Sequence, residues 1–328
     1  MKILVRLPNW LGDVVMSTAF IGAVKQLYPL AQVDVIIKKE LSSIASLIPG
    51  LTNIHSFSKD KYKGLGGVYR FGKTLRFENY DMFFTLPDSL SAAVMGKATG
   101  AKQRIGYSKE GGFFMLTQTC KRPANVHRVD EYLSILEQVN EMPVTGRRVM
   151  LNATEVKAID NLVLINFNSE AGSRRMPLDK GHDLLNLLTH IFPQYRFGLL
   201  GGPKDVLYIE ELLQNMHNPD RIENYAGKTT LLTLTNLIGS ARVLLSTDSG
   251  PAHLGNALGI PVVALFGAGN EHNTAPYNKS NLTVIRLGQL ECEPCVRNEC
   301  KLYGIPKCMQ LLDEPRIVNA LSLYLKHA

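Results

Sequence analysis

The sequence lacks a long apolar run: none reaches the roughly 18 residues that a membrane-spanning helix needs. Its first apolar stretch is short and is interrupted by Arg6 and Pro8, so a secretory signal peptide is not predicted. Hydrophobic residues make up 45% of the 328 residues and charged residues 20%, a mixture that excludes a disordered chain. We therefore expect a cytoplasmic globular protein with room for two domains.

Two motifs that handle phosphate are also missing. No D-x-D pair occurs, so a metal ion held by paired aspartates is not predicted. The Walker pattern GxxxxGK[ST] is absent as well, because the residues before Gly227 and Lys228 read RIENYA. If the chain binds a diphosphate, its own cations and backbone dipoles supply the positive charge.

The positive charge is modest and unevenly distributed. The net charge is +7, from 36 Lys and Arg against 29 Asp and Glu, which suits an anionic substrate, a membrane surface or a nucleic acid without choosing among them. A glycine-rich segment predicts a mobile basic loop, with a solvated charged loop as the plain alternative. Its cations are Lys59, Lys61, Lys63, Arg70, Lys73 and Arg76.

Strand-like and helix-like patterns alternate twice along the chain. KILVRL, VDVII and MFFTL mark the first half, and LVLINF, FGLLG, VLLS, VVALFG and LTVIRL mark the second. Fully apolar strands are typical of parallel sheets covered by helices on both faces. We predict an α/β protein with two doubly wound, Rossmann-like domains, residues 1–155 and 156–313. The final helical pattern, residues 314–328, fits either half, the first included.

Asp13 lies where the opening strand turns into a helix that is predicted to run from about Asp13 to Leu27. A carboxylate at such a turn can take the proton of an attacking hydroxyl, a contribution of roughly a hundredfold to ten-thousandfold in rate. Gly12 before it would keep the turn open. Aspartate also caps helix N-termini, and the residue types alone leave both interpretations open.

A turn of the kind that binds phosphate follows the strand VLLS, in STDSGPAHLGNALG. Ser249 or Gly250 would cap the helix, Pro251 fits its first turn, and the free N–H groups there attract an anion. A capped helix with an incidental His253 is the plain alternative. Candidate ligand contacts in this half are Arg174, Arg175, Lys228, Asp248, Ser249, Gly250 and His253.

Four of the five cysteines lie close together in ECEPCVRNECKLYGIPKCM. Cys292, Cys295, Cys300 and Cys308 have the spacing C-x2-C-x4-C-x7-C, which allows a structural zinc ion on four thiolates. Reduced thiols and a disulfide remain open alternatives. Cys120 stands alone and is predicted to lie in the core.

Four blocks of the sequence resemble glycosyltransferase family 9, the bacterial lipopolysaccharide heptosyltransferases. They are MKILVRLPNWLGDVVMS at the start, RIGY at 104–107, NYAGKTTL, and STDSGPAHLGNALGIPVVALFG. The resemblance runs through most of the chain. It implies a GT-B fold, in which two Rossmann-like domains face a cleft, the first binding the acceptor and the second the nucleotide sugar.

The chemistry implied by the resemblance is an inverting transfer of L-glycero-D-manno-heptose. The donor would be ADP-heptose, the acceptor the anionic inner core of lipopolysaccharide, and no metal ion would be required. The protein would work at the cytoplasmic face of the inner membrane, in peripheral contact with it, and without a nucleic-acid partner.

Single residues are matched to the family pattern in the same way. Asp13 matches the catalytic aspartate. The nucleotide-sugar contacts match Gly12, Ser169, Thr229 and the candidates named above for the second half. The family's Lys-x-Trp-Pro reads here as RRMP at 174–177, so Arg174 keeps the charge while the tryptophan is lost. Lys61, Lys63 and Arg70 would dock the acidic acceptor.

Two other functions fit parts of this pattern. One is a different GT-B nucleotide-sugar transferase or a sugar-nucleotide epimerase. The other is a non-catalytic protein that binds a nucleotide or lipid A, against which the presence of both Asp13 and the diphosphate-type loops argues.

Overall fold

The computed structural model describes residues 1–109, 111–152 and 157–325. The chain divides into two compact units, Met1–Asn152 and Ala153–Ala328. The predicted domain boundary at 155/156 and residues 326–328 of the predicted last helix lie outside the described residues. Within the described ranges, no helix is both long enough and apolar enough to cross a membrane.

The first unit is a parallel sheet with helices between its strands. Its strand order is β3-β2-β1-β4-β5-β6 in the described residues. The strands are β1 (Lys2–Arg6), β2 (Gln32–Lys38), β3 (Ile54–Phe57), β4 (Met82–Thr85), β5 (Gln103–Gly106) and β6 (Gln118–Thr119). The helices are α1 (Leu11–Met16), α2 (Thr18–Leu27), α3 (Ser42–Ala45), α4 (Gly64–Thr74), α5 (Leu90–Thr99) and α6 (Arg128–Asn140).

The second unit repeats this strand order, now written β12-β11-β10-β7-β8-β9 for the part of the chain that is described. The strands are β7 (Ile159–Asn166), β8 (Arg196–Leu199), β9 (Ile222–Asn224), β10 (Ala241–Thr247), β11 (Val262–Phe266) and β12 (Leu282–Arg286). The helices are α7 (Leu178–Ile191), α8 (Val206–Leu212), α9 (Leu231–Ser240), α10 (Gly250–Ala257), α11 (Glu271–Thr274), α12 (Lys307–Gln310) and α13 (Glu314–Ser322).

The apolar runs of the sequence are inner strands of these sheets, except LTVIRL, which forms the edge strand β12. Val5 of β1 pairs with Val35 of β2 on one side and with Phe84 of β4 on the other, and all three are fully buried. Strands covered on both faces need apolar side chains in both directions, which explains the continuous runs. The predicted α/β class with two Rossmann-like parallel sheets is confirmed.

In each unit the chain reverses its winding direction between two neighbouring strands. These pairs are β1 with β4 in the first unit and β7 with β10 in the second. At such a switch point the loops diverge from the carboxyl ends of the strands and leave a crevice, where ligands of doubly wound sheets bind. Both candidate segments, around Asp13 and around Asp248, follow strands of these pairs.

The single helix predicted from Asp13 to Leu27 is in fact two helices, α1 and α2. The hydroxyl groups of Ser17 and Thr18 donate to the carbonyl oxygens of Val14 and Val15, at 2.7 and 2.8 Å. Side chains that bond back to the preceding turn compete with the helical ladder, which accounts for the break at Ser17.

The mobile loop predicted within residues 59–76 is wrong for Gly64–Thr74, which forms α4. Two of its glycines, Gly67 and Gly72, are packing positions rather than signs of mobility. A Cβ at Gly72 would lie 2.5 Å from the carbonyl oxygen of Met95 in α5, and one at Gly67 would collide with the backbone of Tyr62. The missing side chain at Gly72 lets α4 pack closely against α5.

The last helix, α13, packs against β11 and β12 of the second unit. Its buried residues Ile317, Ala320 and Leu321 belong to the same hydrophobic core as Val263 and Ile285. This contact assigns α13 to the second sheet, which the sequence pattern alone left open.

The close packing of α4 predicts opposite effects for two glycine substitutions on one helix. Gly72→Ala forces a methyl group against Met95 and should lower the free energy of unfolding by about 1–3 kcal/mol. At Gly66 a Cβ would extend into open space, so Gly66→Ala should raise that free energy by about 0.5–1 kcal/mol. Urea unfolding followed by circular dichroism measures both; shifts of the same sign would refute the packing argument.

Candidate functional site

Asp13 lies in the first turn of α1, directly after the carboxyl end of β1. The N-cap position of this helix is Trp10, and Gly12 and Asp13 are its second and third residues. Asp13 is therefore not the N-cap, and the capping interpretation is wrong. Its side chain is 25% exposed, which leaves the carboxylate within reach of a ligand.

Two side chains of α6 contact one oxygen of this carboxylate. The Tyr132 hydroxyl donates to Oδ1 of Asp13 at 3.4 Å, and Nε of Arg128 lies 3.6 Å from the same atom. Burial, reinforced by the Asp13 charge, raises the pKa of Tyr132 well above its usual value, so the phenol stays protonated and acts as a donor. A cation and a hydrogen-bond donor thus lie on the same side of the Asp13 carboxylate.

A row of alternating charges continues from Arg128 along the first unit. Nη1 of Arg128 lies 3.0 Å from each carboxylate oxygen of Glu131, and Nε of Arg122 donates to Glu131 at 2.9 Å. Arg122 also reaches Asp88, which follows β4, at 2.7 Å, and Lys109 contacts Asp88 at 2.8 Å. Glu131 thus holds the guanidinium of Arg128 in position beside Asp13.

The side chain of Arg6, the last residue of β1, holds the loop between β1 and α1 in place. It is 4% exposed, and burial lowers its pKa to about 10. Its guanidinium donates to Oδ1 of Asn9 at 2.6 Å and to the carbonyl oxygens of Leu7 and Ile36. These bonds fix the backbone immediately before the turn that carries Asp13.

In the second unit, Asn166 joins the two loops of the switch point. Its Nδ2 donates to the Ser249 hydroxyl at 2.9 Å, to the carbonyl oxygen of Asn168 at 3.0 Å, and to the Ser246 hydroxyl at 3.3 Å. The start of the loop after β7 is therefore tied to the start of α10.

The N-terminus of α10 has the features of an anion site. Ser249 is the N-cap residue, as the sequence predicts; its hydroxyl donates to the carbonyl oxygen of Thr247 at 3.0 Å and makes no side-chain hydrogen bond to the first turn. Gly250 and Pro251 open the helix, and His253, 5% exposed, lies in its first turn. The backbone N–H groups there, together with the helix dipole, attract a negative group.

Asp248 and Arg174 form an ion pair beside this helix start. Nη1 of Arg174 lies 3.1 Å from Oδ2 of Asp248, whose side chain is 4% exposed. A Cβ at Gly269, after β11, would collide with that carboxylate oxygen, so the loop needs glycine there. The loops after β7, β10 and β11 therefore meet around one carboxylate.

The two neighbouring arginines have different surroundings. Arg175 points to the loop after β8: Nη2 lies 2.6 Å from Oδ1 of Asp205, and the guanidinium stacks 5.0 Å from the ring centre of Tyr208. Only Arg174 of the pair contacts Asp248. The sequence alone did not separate these two arginines.

The remaining candidates of the second unit lie on nearby turns. Lys228 is exposed, and Thr229 and Ser169 are partly buried. The turn that carries Lys228 is fixed by the Gly227 N–H, which donates to the carbonyl oxygen of Gly201 at 2.9 Å. These turns leave β9 and β7 at the same edge of the sheet as α10.

Met176 occupies the place of the tryptophan that the family pattern has. It is 1% exposed and belongs to the core with Phe167 and Leu212. The Tyr208 hydroxyl donates to its carbonyl oxygen at 2.7 Å. The methionine thus fills this position with ordinary core packing.

The proposed acceptor cations lie on α4 and just before it. Lys61, Lys63 and Arg70 are all exposed. The same segment exposes apolar side chains: Leu65 is 48% exposed and Tyr69 44%.

All five cysteines fall within the described part of the chain, and each is a free thiol. Cys308 and Cys120 are buried, and burial raises the pKa of each of these thiols to about 11. Across residues 1–109, 111–152 and 157–325, no three His, Cys, Asp or Glu side chains are arranged to hold a metal ion. The structure therefore supplies no zinc site at the cysteine cluster.

Sequence reasoning missed the side chains that surround the candidates. Arg128 and Tyr132 contact Asp13 although they are more than 100 residues away in the sequence; Tyr132 is 119 residues from Asp13. Asn166 ends the apolar run LVLINF, and neither Asn166 nor Ser173 is among the candidates that the sequence predicts. Their local sequence gives no signal, because their roles arise from tertiary contacts.

Comparison with known proteins assigns this geometry to a family. The model of Glycosyltransferase family 9 (heptosyltransferase) matches residues 68–305. Lipooligosaccharide heptosyltransferase 2 of Haemophilus ducreyi is 28% identical over 317 residues, covering 88% of this chain and 89% of that protein. The lipopolysaccharide core heptosyltransferase OpsX of Haemophilus influenzae is 25% identical over 279 residues, covering 81% and 79%.

A solved structure agrees with the fold. The structure of the Escherichia coli ADP-heptose lipopolysaccharide heptosyltransferase II matches with a TM-score of 0.83 at 23% identity. The match covers 99% of this chain and 98% of that chain. At this identity the likeness speaks for the fold.

The row of alternating charges predicts that two substitutions on α6 differ in their effect on stability. Glu131→Gln removes the carboxylate that two arginines share and should lower the free energy of unfolding by about 2 kcal/mol. Asp130→Asn on the same helix weakens one half-exposed pair with Arg147 and should cost about 0.5 kcal/mol or less. Equal losses in chemical unfolding would mean that Glu131 is not the centre of the row.

Proposed function

The chain belongs to glycosyltransferase family 9, and from this premise we propose that it transfers a heptose from ADP-heptose to the inner core of lipopolysaccharide. The relatives named above are heptosyltransferases of lipopolysaccharide or lipooligosaccharide. The observation that carries the proposal is Asp13, a half-buried carboxylate at the switch point of the first sheet, with a cation and a phenol on one of its oxygens.

The second unit binds the donor in this proposal. The diphosphate of ADP-heptose lies at the N-terminus of α10, where Gly250 allows close approach to the backbone. Arg174 faces the same loop: Nη1 is paired with Asp248, while its Nε has no hydrogen-bond partner among the described residues. Lys228 adds a mobile positive charge, and Asp248 accepts hydrogen bonds from sugar hydroxyl groups.

Asp13 acts as the general base. It takes the proton of the acceptor hydroxyl while that oxygen attacks the anomeric carbon of the heptose. The bond from that carbon to the phosphate oxygen breaks with its electron pair, and ADP leaves. Attack from the side opposite the leaving group inverts the anomeric configuration. The cations and backbone dipoles of the second unit stabilise the charge that ADP gains.

Arg128 and Tyr132 position the base. Both contact Oδ1 of Asp13, so they restrict the rotation of the carboxylate. A base held in one orientation loses less entropy on reaching the transition state, and misplacement of a catalytic group by 1 Å can cost roughly a hundredfold in rate.

A membrane surface is the second partner that we propose, at the inner face of the inner membrane. Lys61, Lys63 and Arg70 lie beside the exposed apolar residues Leu65 and Tyr69. Exposed cations interleaved with apolar side chains on a helix suit an anionic lipid surface. The same face would receive the acidic acceptor, which is itself embedded in that membrane.

The Asp13→Asn variant tests the reaction. It keeps the shape of the side chain but removes the proton acceptor, so transfer should fall at least about a hundredfold. The affinity for ADP, measured by calorimetry, should stay within about twofold, since that site lies on the second unit. Transfer is followed by mass spectrometry with ADP-heptose and core acceptors of defined length.

Two outcomes would overturn the proposal. Turnover of the asparagine variant at the wild-type rate would end the general-base role of Asp13. Transfer from UDP- or GDP-sugars but not from ADP-heptose, in the same assay with wild-type protein, would point to a different transferase.

Vesicle sedimentation tests the membrane surface. Replacing Lys61, Lys63 and Arg70 by Gln should weaken binding to anionic vesicles about a hundredfold, since each surface cation contributes about 1 kcal/mol. Vesicles without lipopolysaccharide separate membrane binding from acceptor binding. A charge-matched control replaces the exposed Lys102, Lys121 and Lys204. Equal weakening by both triple variants would argue against a localised membrane face.

A further inference from the structure

The cysteine-rich segment after β12 crosses the carboxyl edge of the second sheet. We name residues 293–298 of this segment the strap. On one side the Val296 N–H donates to the carbonyl oxygen of Ala268, in the loop after β11, at 2.8 Å. On the other side Ser173, in the loop after β7, donates its N–H to the carbonyl oxygen of Asn298 at 3.0 Å.

The strap is bound to the β7 loop by a second bond from the same residue. The Ser173 hydroxyl donates to the carbonyl oxygen of Arg297, and Ser173 is 1% exposed. In the sheet order, β10 lies between β11 and β7. The strap therefore joins the loops on either side of the strand end that carries Asp248.

The β11 end of the strap is fixed by buried charge. The side chain of Glu293 is 3% exposed and lies 3.4 Å from Nη1 of Arg286. It also accepts the Gly288 N–H at 2.9 Å. Arg286 in turn donates to the carbonyl oxygens of Gly267 and Gly269, so one guanidinium holds both the strap and the β11 loop.

Backbone strain marks the centre of the strap. Val296 has φ of 52°, in the left-handed region that β-branched residues rarely adopt. Its side chain is 60% exposed, so packing of that side chain does not explain the conformation. Strain of this kind persists where surrounding bonds determine the backbone, and it concentrates at functional sites.

We propose that the strap sets the spacing of the donor loops, and that Ser173 and Glu293 are positioning residues for binding of a nucleoside diphosphate. Ser173 directly precedes Arg174, which pairs with Asp248 at 3.1 Å. Gly269, the residue after Ala268, lies so near the same carboxylate that a Cβ there would collide with it. Both ends of the strap thus act on the surroundings of Asp248. The inference rests on the proposed donor site.

The experiment compares Ser173→Ala with a matched control in the same unit. Ser240 is also a buried serine, 2% exposed, whose hydroxyl donates to a backbone carbonyl oxygen, that of Leu237, at 2.8 Å. Ser173→Ala should raise the dissociation constant for ADP and the KM for ADP-heptose about fivefold to tenfold, the effect of one lost hydrogen bond. The kcat should stay within about twofold. Ser240→Ala should leave all three values unchanged.

Glu293→Gln provides a second test at the other end of the strap. It should raise the dissociation constant for ADP similarly, and the double variant should show less than the product of the two effects, because both changes loosen one element. This variant also keeps the proposal testable if Ser173→Ala fails to fold.

The outcomes distinguish a failure of the strap proposal from a failure of the proposed donor site. If the wild-type protein binds no ADP, the proposed function fails before the strap is tested. If the wild-type protein binds ADP and Ser173→Ala and Glu293→Gln do so within twofold of it, the strap proposal is refuted. A fall in kcat with unchanged KM would refute it as well.

Discussion

The parallel pairing of β1 with β4, and of β7 with β10, is the constraint on which both candidate sites depend. Because all paired strands of a unit run the same way, their loops emerge at one edge, where helix N-termini also begin. The reversal of winding at these two pairs spreads the loops apart. Asp13 follows β1 of the first pair and Asp248 follows β10 of the second, so each candidate site lies at the switch point of its own sheet, although the two strands have different places in the common order.

Each of these two aspartates is matched by an arginine from another element. Asp13 lies near Arg128 of α6, and Asp248 is paired with Arg174 of the loop after β7. A carboxylate removed from water needs such compensation, since an uncompensated buried charge costs several kcal/mol. The same pairing fixes the side chains before any substrate arrives. Electrostatic balance and preorganisation are therefore properties of the same contacts.

The sequence predicted the strands that are buried on both faces, because such strands must be apolar, as in KILVRL and VVALFG. It did not predict β3, β5, β6 and β9, whose side chains are partly exposed. It predicted the turns at Asp13 and at Ser249–Pro251, because glycine, proline and short polar residues there act through local backbone geometry. It failed where the role of a residue depends on tertiary contacts. The glycines of α4 suggested a loop, because a close helix contact and a flexible turn require the same residue. Arg128 and Tyr132 are unremarkable on α6 until the fold brings them to Asp13, and the same holds for Ser173 and the strap.

Arg128 is shared unequally between two carboxylates, with two contacts of 3.0 Å to Glu131 and one of 3.6 Å to Asp13. In the proposed reaction Asp13 becomes neutral when it takes up the acceptor proton, and its attraction for the cation disappears. Glu131 still holds the guanidinium at that moment. In that reaction the cation therefore remains beside Asp13 through the cycle, held by a second carboxylate that takes no part in the proton transfer.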